Sequence, residues 1–181
     1  MTVRKGDWLS TYTGKQFYPL DPREEDVDIN DIVHSLSQQA RFNGHSVKFY
    51  SIAQHSTLVS MMCSQENALW GLLHDASEAY LSDIPSPIKK APEFLFYREA
   101  EKKLMDVICE IYGLCKEEPE EVKIVDKKML ATEVRDLTMT EGRRWALGSE
   151  PYDFHIQPWS PEYARAKFVS RLHQLTLKKR A

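Results

Sequence analysis

The 181 residues are enough for one domain with a buried core. Hydrophobic residues at 42% and charged residues at 28% are typical of a globular protein and exclude a disordered chain. A net charge of -3 disfavours binding to duplex nucleic acid. No apolar stretch approaches the roughly 18 residues that span a bilayer. We therefore expect one domain over residues 1–181, with no membrane partner. We also expect a cytoplasmic location, because the N-terminus lacks an apolar signal core.

The predicted elements follow from turn signals and from helical spacing of apolar residues. Aromatic-rich runs around Thr13-Gly14-Lys15 predict a short hairpin within residues 8–20. Three prolines in 82–92 exclude a regular helix there, and aromatic residues in 138–159 predict a packed, irregular cover. Helices are predicted at about 28–42, 50–63, 66–80, 93–113, 118–137 and 160–177. The fold class is thus all-α with a small N-terminal β-hairpin.

The dipeptide His74-Asp75 is the first candidate for chemistry. Glu78 lies four residues after His74, so on a helix the three side chains project from neighbouring positions. They stand at the edge of an apolar stripe, where charged groups cost free energy unless they are paired or bound to a metal. The alternative is a solvated helix face with an Asp–His hydrogen bond.

Two further polar residues point inward from other predicted helices. His55 falls in the apolar series Ile52, Val59 and Met62, and Asp126 shares a face with apolar residues of the 118–137 helix. A single inward histidine is more often a core residue with its hydrogen bonds satisfied. Two imidazoles and two carboxylates on three helices instead suit a first-row divalent metal with open positions for water. Such an ion polarises a phosphoryl oxygen and activates water near neutral pH.

Three segments resemble the HD-domain phosphohydrolases, whose metal is held by a His, a His-Asp dipeptide and a later Asp. These segments are AQHSTLVS, HDASEAYLSDIPSPIKK and IVDKKML. The chain is particularly similar to the branch that contains bacterial 5′-deoxynucleotidases, over roughly residues 28–137. With SLSQQARFNGHSVKFYSIAQHS included, it looks closer to short phage and prophage HD hydrolases.

The resemblance implies an HD-type helical bundle with one divalent ion, whose identity among Co, Mn, Zn, Fe, Ni and Mg stays open. The implied metal ligands are His55, His74, Asp75 and Asp126. Glu78 and Asp83 would be the acid–base and substrate-positioning carboxylates, and the substrate would contact Arg41, Phe42 and Lys89. Phe42 stands where the deoxynucleotidases carry a tryptophan, and the interval from His55 to His74 is shorter than theirs. These two departures weaken the inference that this chain shares the substrate preference of the deoxynucleotidases.

The expected reaction removes phosphate from a deoxynucleoside 5′-monophosphate. A deoxynucleoside triphosphate triphosphohydrolase, selective for one base such as dATP, is the enzymatic alternative. The few cationic candidates favour the monophosphate, because a longer phosphate chain requires more of them. A nucleotide-binding regulatory module is the non-enzymatic alternative, and a homo-oligomer is left open.

Two of the substrate candidates have structural alternatives. Arg41 could cap the last carbonyls of the 28–42 helix rather than bind phosphate. We favour phosphate, because a guanidinium suits bidentate phosphate binding. Lys89 could be half of a solvated pair with Lys90.

Overall fold

A computed structural model describes residues 3–139 and 148–178. The all-α fold with a small N-terminal hairpin is confirmed. The strands are β1 (Leu9–Ser10) and β2 (Gln16–Phe17). The helices are α1 (Ile29–Gln38), α2 (Ile52–Met62), α3 (Ala68–Leu73), α4 (Glu78–Leu81), α5 (Ser86–Lys89), α6 (Leu95–Tyr112), α7 (Glu120–Leu137) and α8 (Pro161–Lys178).

The hairpin is antiparallel and is fixed to the helices at both ends. Leu9 pairs with Phe17 in its register. At the tip, the main-chain N–H of Thr13 donates to Oδ1 of the buried Asp31 on α1, at 2.6 Å. Below the strands, the ring of Phe17 stacks on Tyr80 of α4 with centroids 4.1 Å apart. These contacts give a two-stranded ribbon the support that it lacks on its own.

The predicted 28–42 helix is too long, because α1 ends at Gln38. The chain then pairs with the segment before α2: Ala40 forms a β-bridge with Ser51, and the Arg41 N–H donates to Tyr50 O at 2.9 Å. These long-range hydrogen bonds replace the helical ones that the local sequence favours. A 3₁₀ turn over Arg41–Gly44 follows.

The predicted 66–80 helix is in fact two helices, α3 and α4, joined by a tight turn. The ring Nδ1–H of His74 donates to Gly71 O at 2.8 Å. In a continuous helix that carbonyl would accept from the main-chain N–H of Asp75. Beyond it the chain uses i→i−3 bonds, such as Glu78 N–H to Asp75 O at 3.0 Å. The break therefore occurs at the His-Asp dipeptide.

The exclusion of helix from 82–92 is wrong for part of that segment. The short helix α5 forms there with a proline in its first turn, and a 3₁₀ turn follows at Pro92–Phe94. Proline is tolerated in the first turn because the main-chain N–H groups there have no intrahelical acceptor. Gly113 ends α6 in the left-handed conformation, with φ +60°, as the predicted stop at that residue requires.

The described residues form two compact units. The first unit comprises residues 3–36 and 75–117, with a core built on the hairpin, α1, α4 and α6. Its fully buried side chains include Phe17, Ile32, Leu36, Leu104 and Ile108. The expectation of one HD-type domain over residues 1–181 stays a prediction.

The second unit comprises residues 37–74, 118–139 and 148–178, and in it α2 packs against α3, α7 and α8. Its fully buried side chains include Ile52, Val59, Leu72, Val122, Met129 and Phe168. This core surrounds the helix that carries His55. Within the described ranges, no helix combines the length and the apolarity that a membrane crossing requires.

The predicted cover over 138–159 is described at residues 138–139 and from Gly148 onward, and its Gly142 and Trp145 lie outside the described residues. It runs without helix or strand along α7. Arg135 donates to the carbonyls of Tyr152 and Phe154, both at 2.6 Å, and Asp136 accepts from Ile156 N–H at 2.8 Å. Gln54 Oε1 accepts from Trp159 N–H at 2.8 Å. Side chains of α7 and α2 thus hold this cover in place.

The N-terminal cap of α2 generates a stability prediction. The hydroxyl of Ser51, which is fully buried, accepts from Gln54 N–H at 3.1 Å. Ser51→Ala should lower the free energy of unfolding by about 1–2 kcal/mol, because a buried main-chain donor loses its partner. The measurement is urea unfolding at equilibrium.

Ser160→Ala is the matched control. Ser160 is exposed, and it caps α8 through a longer contact, 3.3 Å to Tyr163 N–H. Water can replace that hydroxyl, so the loss should be smaller than for Ser51→Ala. Equal losses in the two variants would contradict the argument from burial.

Candidate metal centre

His55 lies in the first turn of α2 and is fully buried. Its predicted inward orientation is confirmed. The ring Nδ1–H donates to Oε1 of Glu133 on α7 at 2.6 Å. A carboxylate acceptor at Nδ1 keeps that nitrogen protonated, so Nε2 carries the lone pair of the neutral ring.

His74 directly follows α3 and presents its ring in the same way. Its Nδ1 is engaged with Gly71 O at 2.8 Å, which leaves the lone pair on Nε2. The two Nε2 atoms of His55 and His74 are 3.2 Å apart. Two lone pairs at this distance repel each other unless a proton or a metal ion lies between them. The hydrogen bonds at the two Nδ1 atoms therefore favour a cation between the two Nε2 atoms.

Asp126 of α7 completes the triangle of donors in the second unit. Its Oδ1 is 3.1 Å from His55 Nε2 and 4.0 Å from His74 Nε2. Two ligands about 2.1 Å from one ion lie about 3.0–3.4 Å apart for angles between 90° and the tetrahedral value. The shorter contacts match this spacing. The Asp126 side chain is 35% exposed, so the triangle is reached by water on that side.

Asp75 adds a second carboxylate, because the peptide bond places it directly after His74. One ligand atom from each of His55, His74 and Asp75 lies within 4.8 Å of the others. This group could hold a metal ion. Its nitrogen and oxygen donors are those of first-row divalent metals, without the thiolates that select softer ions.

The electrostatics of the triangle favour a cation as well. Burial and the charge of Arg41 lower the pKa of His55, but Glu133 and Asp126 raise it by more, and the net shift is upward. Burial raises the pKa of Asp126, but the hydrogen bond and charge of His55 lower it by more. Below that raised pKa, a second proton on the ring would lie between Nε2 and Asp126 Oδ1, which are 3.1 Å apart. A metal ion must therefore compete with that proton.

Glu133 was missed by the sequence reasoning. It is fully buried, and besides His55 it accepts from Tyr50 OH at 2.8 Å. Its Oε2 is 3.3 Å from Arg41 Nη2. Burial raises the pKa of Glu133, but Arg41 and His55 lower it by more, so the carboxylate is ionised. The available signal was its spacing: Glu133 follows Asp126 by seven residues, two helical turns, and therefore shares its face.

The structure places Arg41 beside this network, three residues beyond the end of α1. Phe42 and Asn43 follow it with φ of +54° and +49°, which is strained for residues with a side chain. The Arg41 guanidinium lies 5.7 Å from the Phe42 ring centroid. The turn therefore holds Arg41 and Phe42 together and directs Arg41 to Glu133.

The remaining predicted site residues lie in the first unit. Glu78 begins α4 with a buried side chain, one turn after Asp75. Lys89 Nζ is 2.7 Å from Glu101 Oε1 and 3.7 Å from Glu78 Oε1. Burial lowers the pKa of Lys89, but these carboxylates raise it by more. Asp83 is half-buried in the connection between α4 and α5. Glu78 and Lys89 are thus brought together. The acid–base role of Glu78, the substrate-positioning role of Asp83 and the substrate contact of Lys89 stay predictions.

Competition between proton and metal at His55 predicts a pH dependence. Below the raised pKa of His55 a proton occupies the ring, and above it the lone pair is available. The affinity for Zn²⁺ or Mn²⁺ should therefore rise with pH between about 5.5 and 8, by up to about tenfold per pH unit. Calorimetry in buffers of different ionisation enthalpy should also detect proton release on binding.

His173→Gln is the control, since His173 is exposed on α8. This variant should retain the full pH dependence. An affinity that stays constant over the same pH range in the unsubstituted protein would contradict the competition.

No protein-family model matches the chain. The chain is 42% identical over 173 residues to the uncharacterized protein YfdR of Escherichia coli strain K12, an alignment that covers 93% of this chain and 96% of that protein. It is 30% identical over 190 residues to the uncharacterized protein RCAP_rcc00048 of Rhodobacter capsulatus, with 94% and 96% covered. Neither name states an activity. The chain belongs to the same family as YfdR.

Proposed function

We propose that this protein is a metal-dependent phosphohydrolase that removes phosphate from a deoxynucleoside 5′-monophosphate. One observation supports this most strongly. The Nε2 atoms of His55 and His74 lie 3.2 Å apart beside the Asp126 carboxylate, while the Nδ1 atom of each ring is engaged elsewhere. Such an arrangement is typical of metal ligands fixed by outer hydrogen bonds.

The residues present fit one divalent ion. His55, His74, Asp75 and Asp126 would hold it, and their two neutral imidazoles and two carboxylates would balance its charge. A bound ion would supply Lewis acidity toward a phosphoryl oxygen and a lower pKa for water. The chain's own contribution is to hold both imidazoles as Nδ1–H tautomers and to keep the Asp126 side accessible to water.

Glu78 is the proposed acid–base group. It follows Asp75 by one turn, and its carboxylate is buried, so it is held in one place. Its Oε1 lies 3.7 Å from Lys89 Nζ, and an ionised carboxylate at this position could accept a proton. Asp83 is the proposed substrate-positioning carboxylate, by the resemblance described above.

The proposed substrate contacts are Arg41, Phe42 and Lys89. Arg41 is paired with Glu133, and Lys89 with Glu101 and Glu78, so much of their positive charge is already balanced within the protein. This favours a substrate with a short phosphate chain over a triphosphate. We propose a cytoplasmic location, because Cys63, Cys109 and Cys115 are free thiols, as is usual in a reducing compartment.

The direct test is a substrate screen. The purified protein is incubated with each nucleoside and deoxynucleoside mono- and triphosphate in the presence of Co, Mn, Zn, Fe, Ni or Mg ions. Release of phosphate is measured separately from release of triphosphate. We expect metal-dependent phosphate release from deoxynucleoside monophosphates that a chelator abolishes. Triphosphate release would identify the protein as a deoxynucleoside triphosphate triphosphohydrolase. The absence of turnover with every combination of nucleotide and metal ion would refute the proposal.

Glu78→Gln tests the acid–base role. The amide keeps the size of the side chain but cannot exchange the proton, so kcat should fall by about 10²-fold or more. Metal content should remain unchanged. Glu99→Gln, an exposed position on α6, is the control and should keep normal kcat. Normal turnover in metal-loaded Glu78→Gln protein would exclude the role.

A further inference from the structure

Glu133 stands outside the proposed ligand set, yet it is fully buried and hydrogen-bonds directly to the ligand His55. Its Oε1 accepts from His55 Nδ1 at 2.6 Å and from Tyr50 OH at 2.8 Å. Its Oε2 is 3.3 Å from Arg41 Nη2. A fully buried carboxylate is costly unless it is paired and hydrogen-bonded. Three side chains from two segments, α2 and the stretch between α1 and α2, meet that requirement here.

The partners of Glu133 are themselves fixed. Tyr50 is fully buried, and its carbonyl accepts from the Arg41 main-chain N–H at 2.9 Å. The same short stretch of chain therefore presents the hydroxyl and the guanidinium to opposite oxygens of one carboxylate. Held from both sides, Glu133 has one orientation toward His55.

We propose that Glu133 is a positioning residue that fixes His55 as the Nδ1–H tautomer and directs its Nε2 lone pair to the metal. The orienting effect stands on the hydrogen bonds alone, while the effect on a metal rests on the proposed function. Carboxylate partners of this kind orient a ligating imidazole and raise its basicity.

The two histidines are held by different acceptors. His74 donates to a neutral main-chain carbonyl, Gly71 O, whereas His55 donates to a charged carboxylate. A charged acceptor forms the stronger hydrogen bond and places more electron density on the ring. His55 is therefore the stronger nitrogen donor of the pair, and metal affinity depends on a residue that does not touch the metal.

The principal test is Glu133→Gln, which keeps the side-chain size and removes the charge. Calorimetric titration with Zn²⁺ and Mn²⁺ should show a metal affinity about 10–100-fold weaker than that of the unsubstituted protein. Glu121→Gln is the matched control. Glu121 is also a hydrogen-bonded carboxylate on α7, but it accepts from Ser64 and Asn67. Its substitution should leave metal affinity unchanged.

A second variant separates positioning from simple charge balance. Glu133→Gln leaves the Arg41 charge buried without its carboxylate, which can impair folding. The double variant Arg41→Met/Glu133→Gln removes both charges and should fold. If Glu133 only neutralised Arg41, the double variant would bind metal normally. The positioning role instead predicts that its affinity stays about 10–100-fold weaker.

A measurement without metal tests the orientation alone. Side-chain ¹⁵N spectra of the metal-free protein at alkaline pH should show His55 as the Nδ1–H tautomer, and Glu133→Gln or the double variant should populate both tautomers. An unsubstituted protein that binds no metal would refute the proposed function but leave this result standing. An unchanged tautomer together with unchanged affinity in both variants would overturn the role of Glu133.

Discussion

The buried charge of Glu133 is the constraint on which the second unit depends. A carboxylate with no exposed surface requires partners inside the protein, and Glu133 finds them on α2 and on the stretch between α1 and α2. The need for Arg41 and Tyr50 at this position accounts for the strained turn at Phe42 and Asn43. The bridge between Ala40 and Ser51 holds both residues in place and leads directly into the capped start of α2.

The rings of His55 and His74 face the same point, but they are oriented by different kinds of hydrogen-bond acceptor. His55 depends on a long-range partner, whereas His74 depends on a carbonyl only three residues away. That local hydrogen bond also interrupts the helix, so the break that creates α3 and α4 and the orientation of the His74 ring have one cause. Asp75 follows at the break, and its position results from the same turn. Asp126 needs no such hydrogen bond, because its position along α7 directs it toward the two histidines.

The features that could be predicted from the sequence were local. Helical spacing identified α2, α6, α7 and α8. The predicted bounds at 113 and 160 agree with Gly113, which follows α6, and with Ser160, which caps α8. The same spacing placed His55 with the apolar face, and the structure brings its Nε2 to 3.2 Å from His74 Nε2 and 3.1 Å from Asp126 Oδ1.

The features that were missed depend on partners distant in sequence or on side chains that bond to the main chain. The end of α1 at Gln38 is set by a bridge to Ser51, and the break at His74 by a ring that occupies Gly71 O. Neither the bridge nor the ring hydrogen bond alters the spacing of apolar residues from which the helices are predicted. The short helix α5 was excluded because prolines were counted without regard to their position in the first turn. Glu133 was overlooked although it shares the face of Asp126, since a glutamate within an apolar stripe has a partner only once the fold is known.

In the proposed metal site, Nε2 of His55, Nε2 of His74 and the carboxylates of Asp126 and Asp75 bind one metal ion. The most direct measurement is anomalous X-ray diffraction from crystals of the protein grown with saturating Mn²⁺. The account predicts a single strong anomalous peak within bonding distance of both Nε2 atoms and of the Asp126 carboxylate, with both Nδ1 atoms still bonded to Glu133 and Gly71 O. Crystals that show no peak between the two imidazoles, or that bind the ion only at other residues, would contradict it.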